Sequence, residues 1–396
     1  FSAHFNGYCR KEKIIRYYNP VTFFQNLKKT EPQETSLNIR RLLQESVRLH
    51  LISDAPLGIF LSGGLDSSVI AAFAAKNREQ PITTLSIIFE EKEYSEESYS
   101  DLVAKKIGSN HQKIKITKQD FFDSFEDIFR AMDQPTIDGV NTFFIAKAAK
   151  EAGLKAVLSG LGADEIFCGY PSFSKAKLLR KAQILPTPPI FWPFASLMLR
   201  LFSGNHYAKL SHLKNKDILS FYLSIRGLFT PQETAKILNT DLNQVKNFIH
   251  ETNDSITNNS LINLHPVDLL SYLELKFYLQ NQLLKDTDFM SMFHSVEVRV
   301  PFLDHKLVEY VSGLPAELKI KKPKDTNKLL LVEAVRNLLP PEIFIRSKMG
   351  FTFPFQFWFQ KMVENKNTSP HFAFHNSRLN KTHWSRFWAK EILKKF

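Results

Sequence analysis

The chain is predicted to be an α/β protein: a parallel sheet with helices on both faces, a helical insertion and a helical C-terminal part. Three observations predict this. Short apolar runs alternate with helical patterns through the first half. Two of those runs end in glycine-containing loops that also carry acids, FLSGGLDSS at 60–68 and SGLGADE at 159–165. From about residue 171 the pattern becomes helical and irregular, with Pro and Asn breaks.

Taken in order, residues 1–30 read as a short β-rich piece and linker, passing through Asn19-Pro20 into the polar run KKTEPQET. Leu37, Leu42, Leu43, Val47 and Leu51 recur at helical spacing over 36–53. GIFLS (58–62) is a buried strand, SSVIAAFAAK (67–76) a small-residue helix and ITTLSIIF (82–89) a second strand. SEESYSDLVAKKIG (95–108) is a helix closed by glycine, and HQKIKIT (111–117) alternates like a strand. Two helical stretches follow, then the buried strand LKAVLSG (154–160). Residues 171–265 are expected to be a helical insertion within one unit spanning 36–396, and 268–284 a helix. VEVRVPFLD (296–304) is a short extended piece whose Asp304 caps the helix HKLVEYV. LLLVEAVRNLL (329–339) is an amphipathic helix stopped by Pro340-Pro341.

With 396 residues, 43% hydrophobic and 23% charged, the chain has the composition of a soluble globular protein with more than one simple core. The net charge of +12 admits anionic partners. The basic residues are scattered apart from one dense patch, KIKKPKDTNK at 319–328, read as a solvated face, so no nucleic acid is expected. Two cysteines, Cys9 and Cys168, exclude a disulfide framework and suit the cytoplasm. The most apolar stretch, residues 184–202, is interrupted by four prolines and Arg200, so no membrane span is expected. The chain begins with Phe and carries no signal-peptide pattern; an incomplete N-terminus is expected.

FLSGGLDSS sits where a first strand turns into a helix. Glycines let the backbone approach an anion closely, and free N–H groups and the helix dipole favour it there. Ser62, Ser67 and Ser68 add hydroxyl donors. A carboxylate beside a phosphate is repulsive unless a cation lies between, so Asp66 points to Mg²⁺; otherwise it caps the helix. The Walker pattern is absent. SGLGADE follows another buried strand, so both loops can lie at carboxyl ends of parallel strands, where ligands bind. Asp164 can share a cation with Asp66; Glu165 does the same or begins a helix. In RSKMGFTFP (346–354), Lys348 stands beside a glycine turn, placed to stabilise developing negative charge. Arg299 paired with an acid reads as structural glue, and His111, His265, His294 and His305 read as structural.

SGGLDSS, SGLGADEIFCGY, SVEVRVPFLDH and RSKMGF occur in this order. Together they resemble the synthetase domain of glutamine-dependent asparagine synthetases, over most of residues 36–360 and least over 171–260. The first motif alone marks only the wider ATP-pyrophosphatase (PP-loop) group. Residues 1–20 look like the tail of a glutaminase domain, making 1–30 a remnant and linker. The resemblance implies an ATP-dependent C–N ligase. A carboxylate, by default aspartate, attacks the α-phosphorus and forms an acyl-adenylate with release of pyrophosphate. Ammonia then gives the amide and AMP. It implies that Ser62, Gly63, Gly64, Asp66 and Ser67 cradle pyrophosphate, and that Asp66 and Asp164 hold Mg²⁺. It further implies that Leu61, Ile87, Ser159 and Gly160 contact the ATP, and that Lys348 is catalytic. Each charge-stabilising group can contribute roughly 3–4 kcal/mol.

Two departures stand out. Well-studied relatives carry an acid between the first two glycines of the second loop, where this chain has Leu161. A second acid, before the VExRVPFLD motif, aligns with Leu283, with Asp286 and Asp288 close by. Cys9 is internal and is not assigned as the glutaminase nucleophile, so ammonia is expected from a glutaminase domain upstream or in trans, or from solution. A homodimer is compatible with this reading. The alternatives are a relative acting on another acid such as a surface-sugar acid, a tRNA-modifying enzyme that shares SGGxDS, and a non-catalytic nucleotide binder.

Overall fold

The computed structural model describes residues 18–28, 30–186, 188, 191, 194–195, 198, 205–256, 259–320, 328–346, 349–350, 353–355, 357–358 and 384–396. Its centre is a five-stranded parallel sheet of β1 (Leu57–Phe60), β2 (Thr83–Ile88), β3 (Asn110–Lys115), β4 (Ala156–Leu158) and β5 (Glu297–Arg299), in the order β3-β2-β1-β4-β5. Gly58 pairs with Thr83 on one side and Val157 on the other, and Val157 pairs in turn with Val298. The chain thus leaves β1 in one direction for β2 and β3, and returns to its other side for β4 and β5. That reversal makes the carboxyl ends of β1 and β4 the crevice where open α/β sheets bind ligands.

Successive strand residues point to opposite faces, and both faces are covered. Leu57, Ile59, Ala156 and Leu158 join the core under α2 (Pro32–His50) and α3 (Leu65–Lys76). Leu85, Ile87 and Val157 join an aromatic core with Phe121, Phe125, Phe143, Phe144 and Trp388. That second core packs α5 (Lys118–Asp123), α6 (Phe125–Ala131) and α7 (Val140–Glu151) against the C-terminal helix Trp384–Lys395.

Several elements differ from expectation. The described part of residues 1–30 holds a short helix, α1 (Val21–Gln25), rather than β structure; residues 1–17, and Cys9 with them, lie outside the described residues. Helix α2 begins earlier than expected, because Pro32 suits the first turn, where no N–H partner is needed. The piece at 296–304 contributes a fifth strand, β5, to the sheet. The helix expected over 329–339 runs from Leu329 to Val335 and continues as turns. Gly108 closes α4 (Glu97–Ile107) in the left-handed conformation. Asp304 Oδ1 accepts from Lys306 N at 2.9 Å, and Arg299 Nε donates to Glu297 Oε1 at 2.9 Å. Residues 171–265 contain α8's successor α9 (Pro171–Ile184; α8 is Ala163–Ile166) and helices Ile218–Arg226, Pro231–Ile237 and Leu242–Ile256.

The helix expected over 268–284 runs on as three continuous windings: Pro266–Leu273, a π-helical stretch Glu274–Leu283, and Leu284–Met292. Such wide turns often mark functional positions. No helix among the described residues is long and apolar enough to cross a membrane.

Candidate active site

Leu61 N continues the ladder by donating to Leu85 O at 2.8 Å, and the Ser86 hydroxyl donates to Leu61 O. The chain then turns into α3 with Gly64 as the residue before the helix. Asp66 is therefore inside the first turn and not its cap, and its carboxylate is turned toward the crevice. Ser67 closes the loop: its hydroxyl accepts from Ser62 N and donates to Gly64 O, each at 3.2 Å. From the other side Arg346 Nη1 donates to Gly63 O at 3.0 Å and Nη2 pairs with Glu96, while the guanidinium lies 4.3 Å over the Tyr99 ring. Burial holds the Glu96 carboxyl above its ordinary value against the pull of Arg346.

The second loop is pressed against the first. A Cβ on Gly160 would lie 2.8 Å from Ser67 N and 2.9 Å from Asp66 Cβ, so only glycine allows this approach. It brings Asp66 and Asp164 to one point, filled by the ammonium of Lys328. Lys328 Nζ lies 2.8 Å from Asp164 Oδ1 and is also bonded to Asp66 Oδ2. Gly169 leaves room for both partners, since a Cβ there would collide with Asp164 Oδ1 and Lys328 Cε. The lysine is 5% exposed and the acids 24% and 20%, so this is a nearly buried triad of net charge −1. The two carboxylates raise the Lys328 ammonium further above its ordinary value than burial lowers it.

A cavity of about 310 Å³ opens over this point. Leu61, Ser62, Gly64, Asp66, Ser67, Ile87, Ser159, Gly160 and Asp164 all line it, as do Leu161 and Lys328. Gly63 does not line it, but its carbonyl accepts from Arg346, which does. Lys348 lies outside the described residues. Glu165 does not join Asp164 at the cation point: it is buried, accepts from the Tyr170 hydroxyl at 2.7 Å and has its carboxyl pushed up to about 7, first by burial and then by Asp164. Leu283 is partly buried in the π-helical stretch, Asp286 is buried against Thr136, and Asp288 is exposed. His111 bonds Thr84, His265 accepts from Val267 N, and His294 packs on Phe143, all structural roles.

Two carboxylates converging on a cation fit a hard divalent ion such as Mg²⁺, which takes one or two carboxylates and completes its shell with water and phosphate. No group of three or more His, Cys, Asp or Glu side chains placed to hold a metal exists among the described residues. Lys328 is the residue that sequence reasoning missed, because it ends the basic patch read as solvated. A signal was available: a lysine directly before the apolar helix Leu329–Val335 opposes the helix dipole and needs a carboxylate partner. Lys319, at the other end of that patch, is also buried, 2.9 Å from Asp268.

The sequence profile of the asparagine synthase family matches residues 38–393. The chain belongs to the asparagine synthase family. It is 28% identical to the glutamine-hydrolysing asparagine synthetase 1 of Bacillus subtilis over 344 residues, covering 85% of this chain and 53% of that protein. It is 31% identical to asparagine synthetase 3 of the same organism, covering 85% and 51%, and 27% identical to amidase chry2 of Gibberella zeae, covering 86% and 55%. The chain thus spans about half the length of the curated relatives it matches. An NMN synthetase from Francisella tularensis is 15% identical with a TM-score of 0.27 over 63% of this chain and 94% of that one, too slight a likeness to argue from.

Proposed function

We propose that this chain is the synthetase part of an ATP-dependent amide-forming ligase. A carboxylate attacks the α-phosphorus of ATP, one P–O bond forms and another breaks, and pyrophosphate leaves. Ammonia then attacks the acyl carbon, AMP leaves with its electron pair, and the nitrogen sheds its extra proton. The observation that carries the reading is the meeting of Asp66, Asp164 and Lys328 at the carboxyl ends of two adjacent parallel strands. The glycine loop holds the pyrophosphate through Ser62, Gly64 and Ser67, with Gly63 shaping the turn between them. Leu61, Ile87, Ser159 and Gly160 hold the nucleotide. Mg²⁺, held by Asp66 and Asp164, would offset charge on the phosphates. Lys328 and Lys348 stabilise the charge that develops in adenylation. Leu161 offers no proton acceptor, so nitrogen arrives as neutral ammonia or loses its proton elsewhere.

The names of the relatives make aspartate the reference acid. Ammonia comes from a glutaminase domain, upstream in the same chain or in trans, and the assembly is cytoplasmic and compatible with a homodimer. The test is exchange of labelled pyrophosphate into ATP, with Mg²⁺ and a carboxylic acid present. Asp66→Ala is expected to lower it about 10²–10³-fold, the size of a lost charge-stabilising group. An unchanged rate in Asp66→Ala would sink the reading.

A further inference from the structure

A second cavity, of about 470 Å³, lies beyond the nucleotide site and shares no lining residue with it. The two adjoin where the Arg226 guanidinium stacks on Tyr170. Tyr170 lines the nucleotide cavity, and the Arg226 guanidinium lies 4.3 Å over its ring and 4.0 Å over that of Tyr278. Arg226 and Tyr278 line the second cavity. An acid that presents its carboxylate to the α-phosphate has to keep the rest of itself outside the nucleotide pocket, and this is the adjoining space.

Its chemistry is specific. Arg226 Nε is held by both oxygens of the fully buried Glu274, at 2.8 and 3.0 Å, so this pair is neutral as a unit. Asp138 is then the remaining acid of the cavity, its carboxyl pushed above its ordinary value by burial against the pull of Tyr278 and Arg226. Its Oδ2 accepts from Tyr278 Oη at 3.1 Å and Gln282 Nε2 at 2.6 Å, both neutral donors, and no described residue donates to Oδ1. On the other side Arg226 Nη2 is buried without a hydrogen-bond partner. Tyr222 and Phe277, stacked 5.5 Å apart, and Phe229 supply flat apolar faces. A second carboxylate entering here would meet the Asp138 carboxyl, and like charges repel. An ammonium would satisfy Asp138 but face Arg226. A hydroxyl does both jobs, donating to Asp138 Oδ1 and accepting from Arg226 Nη2. The volume lies in the range of sites for larger small molecules, more than a four-carbon dicarboxylate fills.

We propose that this cavity holds the body of the acid substrate, and that Asp138 selects a monocarboxylate with a neutral, hydroxylated body over aspartate. The inference rests on the ligase reading above. It is tested by pyrophosphate exchange with aspartate, succinate, glucuronate and galacturonate as probes. A hydroxylated acid is expected to support exchange with a KM at least tenfold below that of aspartate. Asp138→Asn should raise that KM about tenfold and lower the aspartate KM, with the KM for ATP unchanged, a split that a merely structural residue would not give. Tyr222→Ala should raise the KM for the hydroxylated acid alone. Exchange with aspartate alone, or an Asp138→Asn enzyme with both acid KM values unmoved, would overturn this inference and leave the ligase reading standing. Exchange with none of the acids would overturn both.

Discussion

The two cavities are built in opposite ways. The cavity proposed for the nucleotide is built around two short loops at neighbouring strand ends, where Asp66 and Asp164 meet Lys328, and its lining is completed by β2, the Glu96–Arg346 pair, Tyr170 and residues of the 332–346 stretch. The second cavity takes its lining from four separate stretches, at 135–138, 222–229, 277–282 and 389–393. There the charges are spread: a neutral Arg226–Glu274 pair and the Asp138 carboxyl. Reaction chemistry shared by many enzymes can rest on contiguous loops, because phosphate and a cation ask for backbone N–H groups and two carboxylates at fixed spacing. Selection of a particular acid asks only for complementary groups around its body, and any set of packed helices can supply them.

The sharpest way to break this contrast is to remove the lysine that makes the first site a triad. Lys328→Met leaves Asp66 and Asp164 facing one another with their shared cation gone. Breaking a buried pair costs about 3–5 kcal/mol, and the partial exposure of both acids places this case near the lower end. Millimolar Mg²⁺ should recover more stability in the variant than in the wild type, because an ion that binds only the folded chain stabilises it. The measurement is the Tm of both proteins with and without Mg²⁺. Equal Mg²⁺ shifts in the two would mean that the carboxylates do not form a cation site.

The same contrast explains how much could be read from the sequence. The central strands were legible because β1, β2 and β4 are buried on both faces and read as short apolar runs, whereas β3 showed only as an alternating run and β5, with Glu297 exposed, only as an extended piece. The convergence of SGGLDSS and SGLGADE was legible because each loop follows a strand, and parallel strands bring their ends together. Lys328 was hidden by its basic neighbours, since its partners lie more than 160 positions away in the chain. The second cavity was hidden more deeply. Glu274, Tyr278 and Gln282 lie four apart along the π-helical stretch Glu274–Leu283, and since residues four apart share a side of any helix, the pattern alone did not single them out. Asp138, in a polar loop, carried no motif.

A smaller effect separates the two regions by pH. Thr136 lines the second cavity and donates to Asp286, whose carboxyl is pushed up to about 7, chiefly by burial and further by the negative charge of Asp138. Gln134 is the other group facing it, at 3.4 Å. Because the folded value lies above the unfolded one, the neutral acid is what the fold favours. Its contribution is fully present below about pH 4 and is lost as pH rises through about 7. Asp286→Asn should therefore flatten the fall in stability between pH 5 and 8 by on the order of 3 kcal/mol. Chemical denaturation at the two pH values measures it, and the slope contributed by Glu165 cancels in the difference between wild type and variant. An identical fall in both proteins would place the titrating group elsewhere.

The finest probe of the comparison is Tyr278→Phe. It deletes the donor to Asp138 while keeping the ring beneath Arg226, so packing and the cation–π contact at 4.0 Å survive. A hydrogen bond to a charged group is worth about 1.5–3 kcal/mol, and Gln282 still donates to the same oxygen, which places the expected change at the lower end of that range. Its direction is informative. If the second cavity only braces the nucleotide site, the variant should affect the KM values for ATP and acid alike. If it holds the acid, the KM for the acid should change several-fold while pyrophosphate exchange at saturating acid and the KM for ATP stay as they were, because Tyr170, on the side of the first cavity, keeps its bond to Glu165.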